Sequence, residues 1–134
     1  MILGVGIDIV EIKRIKKIFA KKKEREKFLA RIYTKSEIDT GLRFKGDKQV
    51  NFFAKRFAAK EAAAKALGTG FGENLSFVEI GVNSCISGEP EIFFTGKAAK
   101  LAKSLCIKTK DYKAHVSLAD EAGIAQAIVI ISAA

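Results

Sequence analysis

The stretch GVGIDIVEI, residues 4–12, constrains the fold more than any other. Its apolar residues alternate as in a strand. Side chains of a strand point to opposite faces in turn, so Leu3, Val5, Ile7 and Ile9 share one face and Gly4, Gly6 and Asp8 the other. The pattern predicts a buried strand whose second face is nearly bare backbone and ends in a carboxylate. Capping of the next helix would explain Asp8 alone. A cap, however, needs no bare strand face, whereas a ligand pressed against backbone does. The glycines therefore favour Asp8 as a metal ligand.

The rest of the chain limits what surrounds that strand. Its 134 residues are enough for one domain, 1–134, with a real core, and there is no internal repeat or Pro/Ser linker. No apolar run is long enough to span a bilayer, and the opening MILGVGIDIV lacks a basic leader and a cleavage site, so it is read as a structural strand. Cys85 and Cys106 form no close motif and there is one histidine, which argues for cytosolic free thiols and against a Cys/His zinc site. An ion held by oxygen ligands remains open. The net charge of +9 favours an acidic partner: a nucleic acid, a phosphate-rich ligand or an acidic protein.

Residues 50–68, VNFFAKRFAAKEAAAKALG, form the strongest helix signal: long, rich in alanine, and stopped by Gly68. Ile12, Ile15 and Phe19 fall at helical spacing, and 20–28 reads as a charged helix. Thr34 and Glu37 have the form of a capping box opening a short helix. FVEIGV (77–82) and EIFF (91–94) read as a hairpin turned at SGEP, and 96–107 as an amphipathic helix. In YKAHVSL (112–118), Lys113, His115 and Ser117 share the polar face. IAQAIVIIS (124–132) is almost continuously apolar and is placed centrally in a sheet. The expected class is α+β, a mainly antiparallel sheet packed with a long central helix. Neither a GxGxxG nor a P-loop motif is present.

Glu61 lies in the long helix among alanines and phenylalanines. It either pairs with Lys65 one turn on, worth ~0.3–0.5 kcal/mol, or points into a site where a cation satisfies it. Asp8 and Glu61 with phosphate oxygens and water form a donor set that Mg²⁺ prefers. Arg56, Lys60 and Lys65 are close to Glu61 in sequence and suited to holding phosphates. His115 is either a hydrogen-bonded surface group or a phosphate contact. The basic run from Arg14 to Lys27, with Ile18 and Phe28, is either a solvated helix face or a dock for an acidic helix. A rival reading, a non-catalytic basic nucleic-acid-binding domain, would need aromatics and basics on one exposed sheet face.

GVGIDIVEIKRI (4–15), KFLARIYTKSE (27–37), RFAAKEAAAKALGTG (56–70) and LSF (75–77) together resemble the blocks of the holo-acyl carrier protein synthase family, the small type of 4′-phosphopantetheinyl transferase. SGEP and AHVSL fit its later blocks more loosely, and the likeness runs along essentially the whole chain. The resemblance implies the family's fold and an Mg²⁺-dependent transfer of 4′-phosphopantetheine from coenzyme A to a serine of apo-acyl carrier protein, in support of fatty acid biosynthesis. It implies a cytoplasmic homotrimer with active sites between subunits, acting on neither nucleic acid nor membrane. By the same resemblance Asp8 and Glu61 bind the metal, and Lys65 completes the catalytic set near the pyrophosphate. Arg56 and His115 would hold the nucleotide end of coenzyme A and Lys65 would lie near its pyrophosphate, with Lys60 added as a coenzyme A contact for its closeness to Glu61 in sequence. Arg14 and its basic neighbours, Lys21 among them, with Ile18 and Phe28, would dock the acidic carrier protein. The chain departs from the family pattern in its longer charged run at 20–27, in GEP for the usual GKP turn, and in Asp120 where many relatives carry a second histidine.

Overall fold

The computed structural model describes all 134 residues. Strand β1 (Ile2–Glu11) leads into helices α1 (Ile12–Phe19), α2 (Lys22–Ile32) and α3 (Lys35–Gly41), then the long α4 (Asp47–Ala66). A short 3₁₀ turn (Phe77–Glu79) precedes β2 (Ile80–Ser84) and β3 (Pro90–Phe94). Helix α5 (Gly96–Ser104) and strands β4 (Tyr112–Glu121) and β5 (Ile124–Ala133) complete the chain. The strands form a three-stranded antiparallel sheet, β1-β5-β4, and a separate antiparallel hairpin, β2-β3. No helix is long and apolar enough to cross a membrane.

Helix α4 is the axis of the core. Its alanines cost no side-chain entropy on burial and leave the helix thin, so neighbours can close on it from several sides. Phe53, Ala54, Ala58, Ala59, Ala62 and Ala63 are all buried. On one side Phe53 and Phe57 meet Phe19 of α1, Phe28 of α2 and Tyr33 just beyond α2 in edge and tilted ring contacts. On the other lies the sheet, whose inward residues Ala125, Ala127, Val129 and Ile131 are fully buried. The helix ends as its sequence predicts. Gly68 takes φ +79, and the amides of Gly68 and Thr69 close on the carbonyls of Lys65 and Ala64, a Schellman turn.

The bare strip of β1 has a different purpose from the one expected. A Cβ at Gly4 would stand 2.1 Å from the Ala66 carbonyl oxygen, and one at Gly6 1.9 Å from that of Ala62. The glycines make room for the backbone of α4, not for a ligand. The expectation of a strand buried through Val5, Ile7 and Ile9 is corrected too: these are 54%, 48% and 60% exposed, on the sheet face away from α4. The last strand is central, between β1 and β4, but only its helix-facing side is covered.

The Thr34–Glu37 capping box forms as expected. Residues 77–79, expected to begin a strand, make a 3₁₀ turn instead. Glu79 reaches back to the Ser76 amide and forward to the Lys97 amide, and this local bonding holds the chain out of the ladder until Ile80.

Candidate active site

Asp8 and Glu61 come together. Asp8 is the last polar residue of the helix-facing side of β1, and Glu61 lies on the adjoining flank of α4. Burial, and next the Asp8 carboxylate, raise the Glu61 pKa, while Lys65 and Arg14 pull it down. Asp8 caps nothing: the residue ahead of α1 is Glu11, which makes no side-chain cap bond. Lys65 does not pair with Glu61 as an ordinary helical neighbour would. Its Nζ crosses to β1, donating to Asp8 Oδ1 at 3.1 Å and the Ile7 carbonyl at 2.9 Å. Two carboxylates, one ammonium and the nearby Arg14 guanidinium thus share one small region at the junction of β1 and α4.

The pair suits a hard cation. Its donors are oxygens only, and no group of three or more His, Cys, Asp or Glu side chains gathers anywhere in the fold. An ion held there by two carboxylates would keep most of its coordination sphere for phosphate oxygens and water, the arrangement Mg²⁺ favours.

Arg56 lies elsewhere, in a cleft of about 900 Å³ between α4, β3 and β4 whose lining also includes His115. Arg56 is buried, with its guanidinium carbon over the Phe52 ring, 3.7 Å from the centroid, and its Nη2 donating to Ser84 Oγ at 3.1 Å. Its Nε is buried without a partner. Burial lowers its pKa while Glu37 and Tyr33 support its charge. His115 Nε2 lies 3.0 Å from Ser132 Oγ on the neighbouring strand.

Lys60 is not in either place, and its assignment to coenzyme A is corrected. It is fully buried, with Nζ 2.8 Å from Glu37 Oε1 and bonded to the carbonyls of Phe77 and Ile80. Burial lowers its pKa, opposed by Glu37. Glu37 Oε2 in turn accepts from the Val82 amide at 2.7 Å. Burial and Glu37 also hold the Tyr33 phenol well above its ordinary pKa. All three donors of the Lys60 ammonium are spent, on Glu37, Phe77 and Ile80, tying α3 and α4 to the 3₁₀ turn and the hairpin. Nothing is left for a ligand.

In the expected docking region, Arg14 and Lys21 are exposed, but Phe28 is 7% exposed and packs on Phe19, Tyr33 and Phe57. Phe28 is chiefly a core residue, and its edge floors a shallow groove with Ile18, Lys27 and Arg31. Arg14 sits over the Phe57 ring, 5.7 Å from its centroid, on the side of Glu61. The outer face of the three-stranded sheet carries aliphatic residues rather than the aromatics that the nucleic-acid reading needs.

Three features escaped the sequence reading. Phe52 as the shelf under Arg56 had no signal beyond helical spacing. The burial of Glu37 was masked by its second role as a cap. Asp120, noted only as a departure, forms an ion pair with Lys55 at 3.3 Å.

Comparison with known proteins places this geometry in context. The model of the 4′-phosphopantetheinyl transferase superfamily matches residues 4–117. A holo-[acyl-carrier-protein] synthase of Wolbachia pipientis is 42% identical over 132 residues, covering 98% of each chain. One from Zymomonas mobilis is 41% identical over 133 residues, 99% of this chain and 98% of that one. Among solved structures, the Neisseria meningitidis holo-[acyl-carrier-protein] synthase superposes with TM-score 0.81 at 37% identity, covering 98% of this chain and 99% of its own. The Helicobacter pylori enzyme in complex with coenzyme A gives TM-score 0.76 at 34% identity, covering 96% and 99%.

Proposed function

The chain belongs to the 4′-phosphopantetheinyl transferase superfamily and is an enzyme of its holo-[acyl-carrier-protein] synthase type, and from that premise we propose the reaction, site and assembly described next. The whole chain acts as one transferase domain. It moves 4′-phosphopantetheine from coenzyme A to a serine of an apo-acyl carrier protein and releases adenosine 3′,5′-bisphosphate. The bond from serine Oγ to the β-phosphorus forms in line as the bond from that phosphorus to the leaving bisphosphate breaks. One observation carries the reading: Asp8 of β1 and Glu61 and Lys65 of α4 share one charged region.

Asp8 and Glu61 would hold Mg²⁺, which when bound supplies positive charge for the pyrophosphate oxygens. Lys65, already aimed at Asp8, lies where it can donate to the same phosphates. Arg56 and His115 hold the nucleotide end of coenzyme A in the cleft, where the unpaired Nε of Arg56 supports an anion site. Arg14 and Lys21, with the shallow groove at Ile18 and Phe28, receive the carrier protein. Acyl carrier proteins are strongly acidic, so steering by these groups accounts for the net charge of +9.

The assembly is a cytoplasmic homotrimer serving fatty acid biosynthesis. Val5, Ile7, Ile9 and Ile128 form an exposed aliphatic face on the sheet, larger than isolated surface residues explain. Placing a second copy there puts active sites at the subunit boundary, since β1 carries Asp8 and β4 carries His115 at the two edges of that sheet. Incubation of the protein with coenzyme A, Mg²⁺ and apo-acyl carrier protein, read by mass spectrometry, tests the reaction. Failure to modify any carrier protein overturns it.

A further inference from the structure

Helix α4 presents a second cation to the cleft beside Arg56. Lys55 lines the cleft, and its Nζ pairs with Asp120 Oδ1 at 3.3 Å. Asp120 stands outside the cleft, near the β4–β5 turn, and is not part of the lining. Both side chains are about a third exposed, at 30% and 34%, and an ion pair this accessible to water is weak and easily exchanged. Glu89 and Glu91 at the end of the hairpin also line the cleft, so its positive charge is concentrated on α4, at Lys55 and Arg56. There Arg56 is already fixed by Phe52 and Ser84, and its Nε is buried without a partner. It is a rigid, planar donor with no freedom to follow a ligand. Lys55 is the reverse, a compact charge on a flexible stem anchored beside it.

We propose that Lys55 is a second cation of the cleft, beside Arg56, that leaves Asp120 to bind a phosphomonoester dianion. Asp120 does not touch the ligand. It is a positioning residue that competes for the Lys55 ammonium and so sets how tightly the dianion is held. The inference rests on placing the nucleotide end of coenzyme A in this cleft, and it makes the 3′-phosphate the group that Lys55 reads.

The test is calorimetric titration of the full chain with adenosine 3′,5′-bisphosphate and with adenosine 5′-monophosphate. Lys55→Met should weaken the bisphosphate about 5- to 10-fold and the monophosphate less than about 2-fold, the scale of one lost charge-assisted hydrogen bond. Lys55→Arg, which keeps the charge, should preserve the discrimination. Asp120→Asn should tighten the bisphosphate about 2- to 5-fold in the native background and leave it unchanged beside Lys55→Met, because the two residues act as one unit. Equal losses for both ligands, no loss at all, an Asp120→Asn effect that persists without Lys55, or no binding of the bisphosphate by the native chain each overturn the proposal. These titrations do not depend on turnover. A native chain that transfers phosphopantetheine while Lys55→Met binds like wild type contradicts only the role of Lys55. A chain that binds the bisphosphate as described but modifies no carrier protein contradicts the reaction instead.

Discussion

Gly6 of β1 lies directly against the Ala62 carbonyl of α4, close enough that a Cβ at Gly6 would stand 1.9 Å from that oxygen and 2.7 Å from the Ala66 amide nitrogen. Both neighbours are backbone, so nothing can swing aside. Gly6→Ala must push helix from strand, at a cost of about 3 kcal/mol, the upper range for overpacking a core. Chemical denaturation measures it. A loss below about 1 kcal/mol would show that the two elements do not pack this closely. Because the contact also sets Asp8 beside Glu61, the variant should lose activity at temperatures where it remains folded.

The buried Lys60–Glu37 pair gives a second expectation. Removing either partner strands the other charge in the core, so Lys60→Met and Glu37→Gln should each cost about 3–5 kcal/mol, whereas the double variant Lys60→Met/Glu37→Met should recover a large part of that loss. Denaturant titration of all three decides the matter. Single variants of near-native stability would mean that Lys60 reaches solvent or a ligand.

Glu61 makes stability depend on pH in a defined direction. Its folded pKa is raised by burial and by Asp8. As pH rises the unfolded chain therefore gives up this proton first. Stability is full below the ordinary glutamate range and falls as pH climbs through the raised folded value. In metal-free buffer Glu61→Gln should have a higher Tm than wild type at neutral pH, with the gap closing toward pH 4. Added Mg²⁺ should raise the Tm of wild type at neutral pH and leave Glu61→Gln and Asp8→Asn unmoved. A gap that widens on acidification contradicts the geometry of the pair, and an equal Mg²⁺ response in all three contradicts the metal site.

The exposed aliphatic face predicts the behaviour of a surface variant. Ile7 is 48% exposed at the centre of that face, between Val5 and Ile9. Ile7→Lys should convert a trimer to monomers in sedimentation equilibrium while leaving the far-ultraviolet circular dichroism unchanged. A native chain that sediments as a monomer removes the interface.

Carrier docking is best probed away from the acid pair. Arg14 lies near Glu61, so reversing its charge disturbs two functions at once. Lys21 is exposed between α1 and α2. Lys21→Glu should raise KM for carrier protein more than KM for coenzyme A, most clearly at low salt. Equal changes in both would argue against a dock there.

Much of this was legible in one dimension. Helix ends are written locally: Thr34 with Glu37 opens α3, and Gly68 closes α4, because each acts on amides a few residues away. The central strand and the hairpin followed from periodicity. Asp8 and Glu61 were found as isolated acids at odds with their surroundings, and that anomaly proved spatially shared. What periodicity does not carry is which object covers a face. The glycine strip looked like room for a ligand because backbone and ligand demand the same thing, a missing Cβ. Val5, Ile7 and Ile9 looked buried because alternation identifies a common face without saying whether this chain or another covers it. Lys60 stands next to Glu61 in sequence but points about 100° away around the helix, toward Glu37, and no local pattern announces that partner.

The most direct test is the added mass on an apo-acyl carrier protein after incubation with coenzyme A and Mg²⁺, comparing native chain, Asp8→Ala and Glu61→Ala by mass spectrometry. Expected is one phosphopantetheine per carrier from the native chain and nearly none from either folded variant. Full transfer by either variant, or none by the native chain, would contradict the pairing of Asp8 with Glu61 as the centre of the reaction.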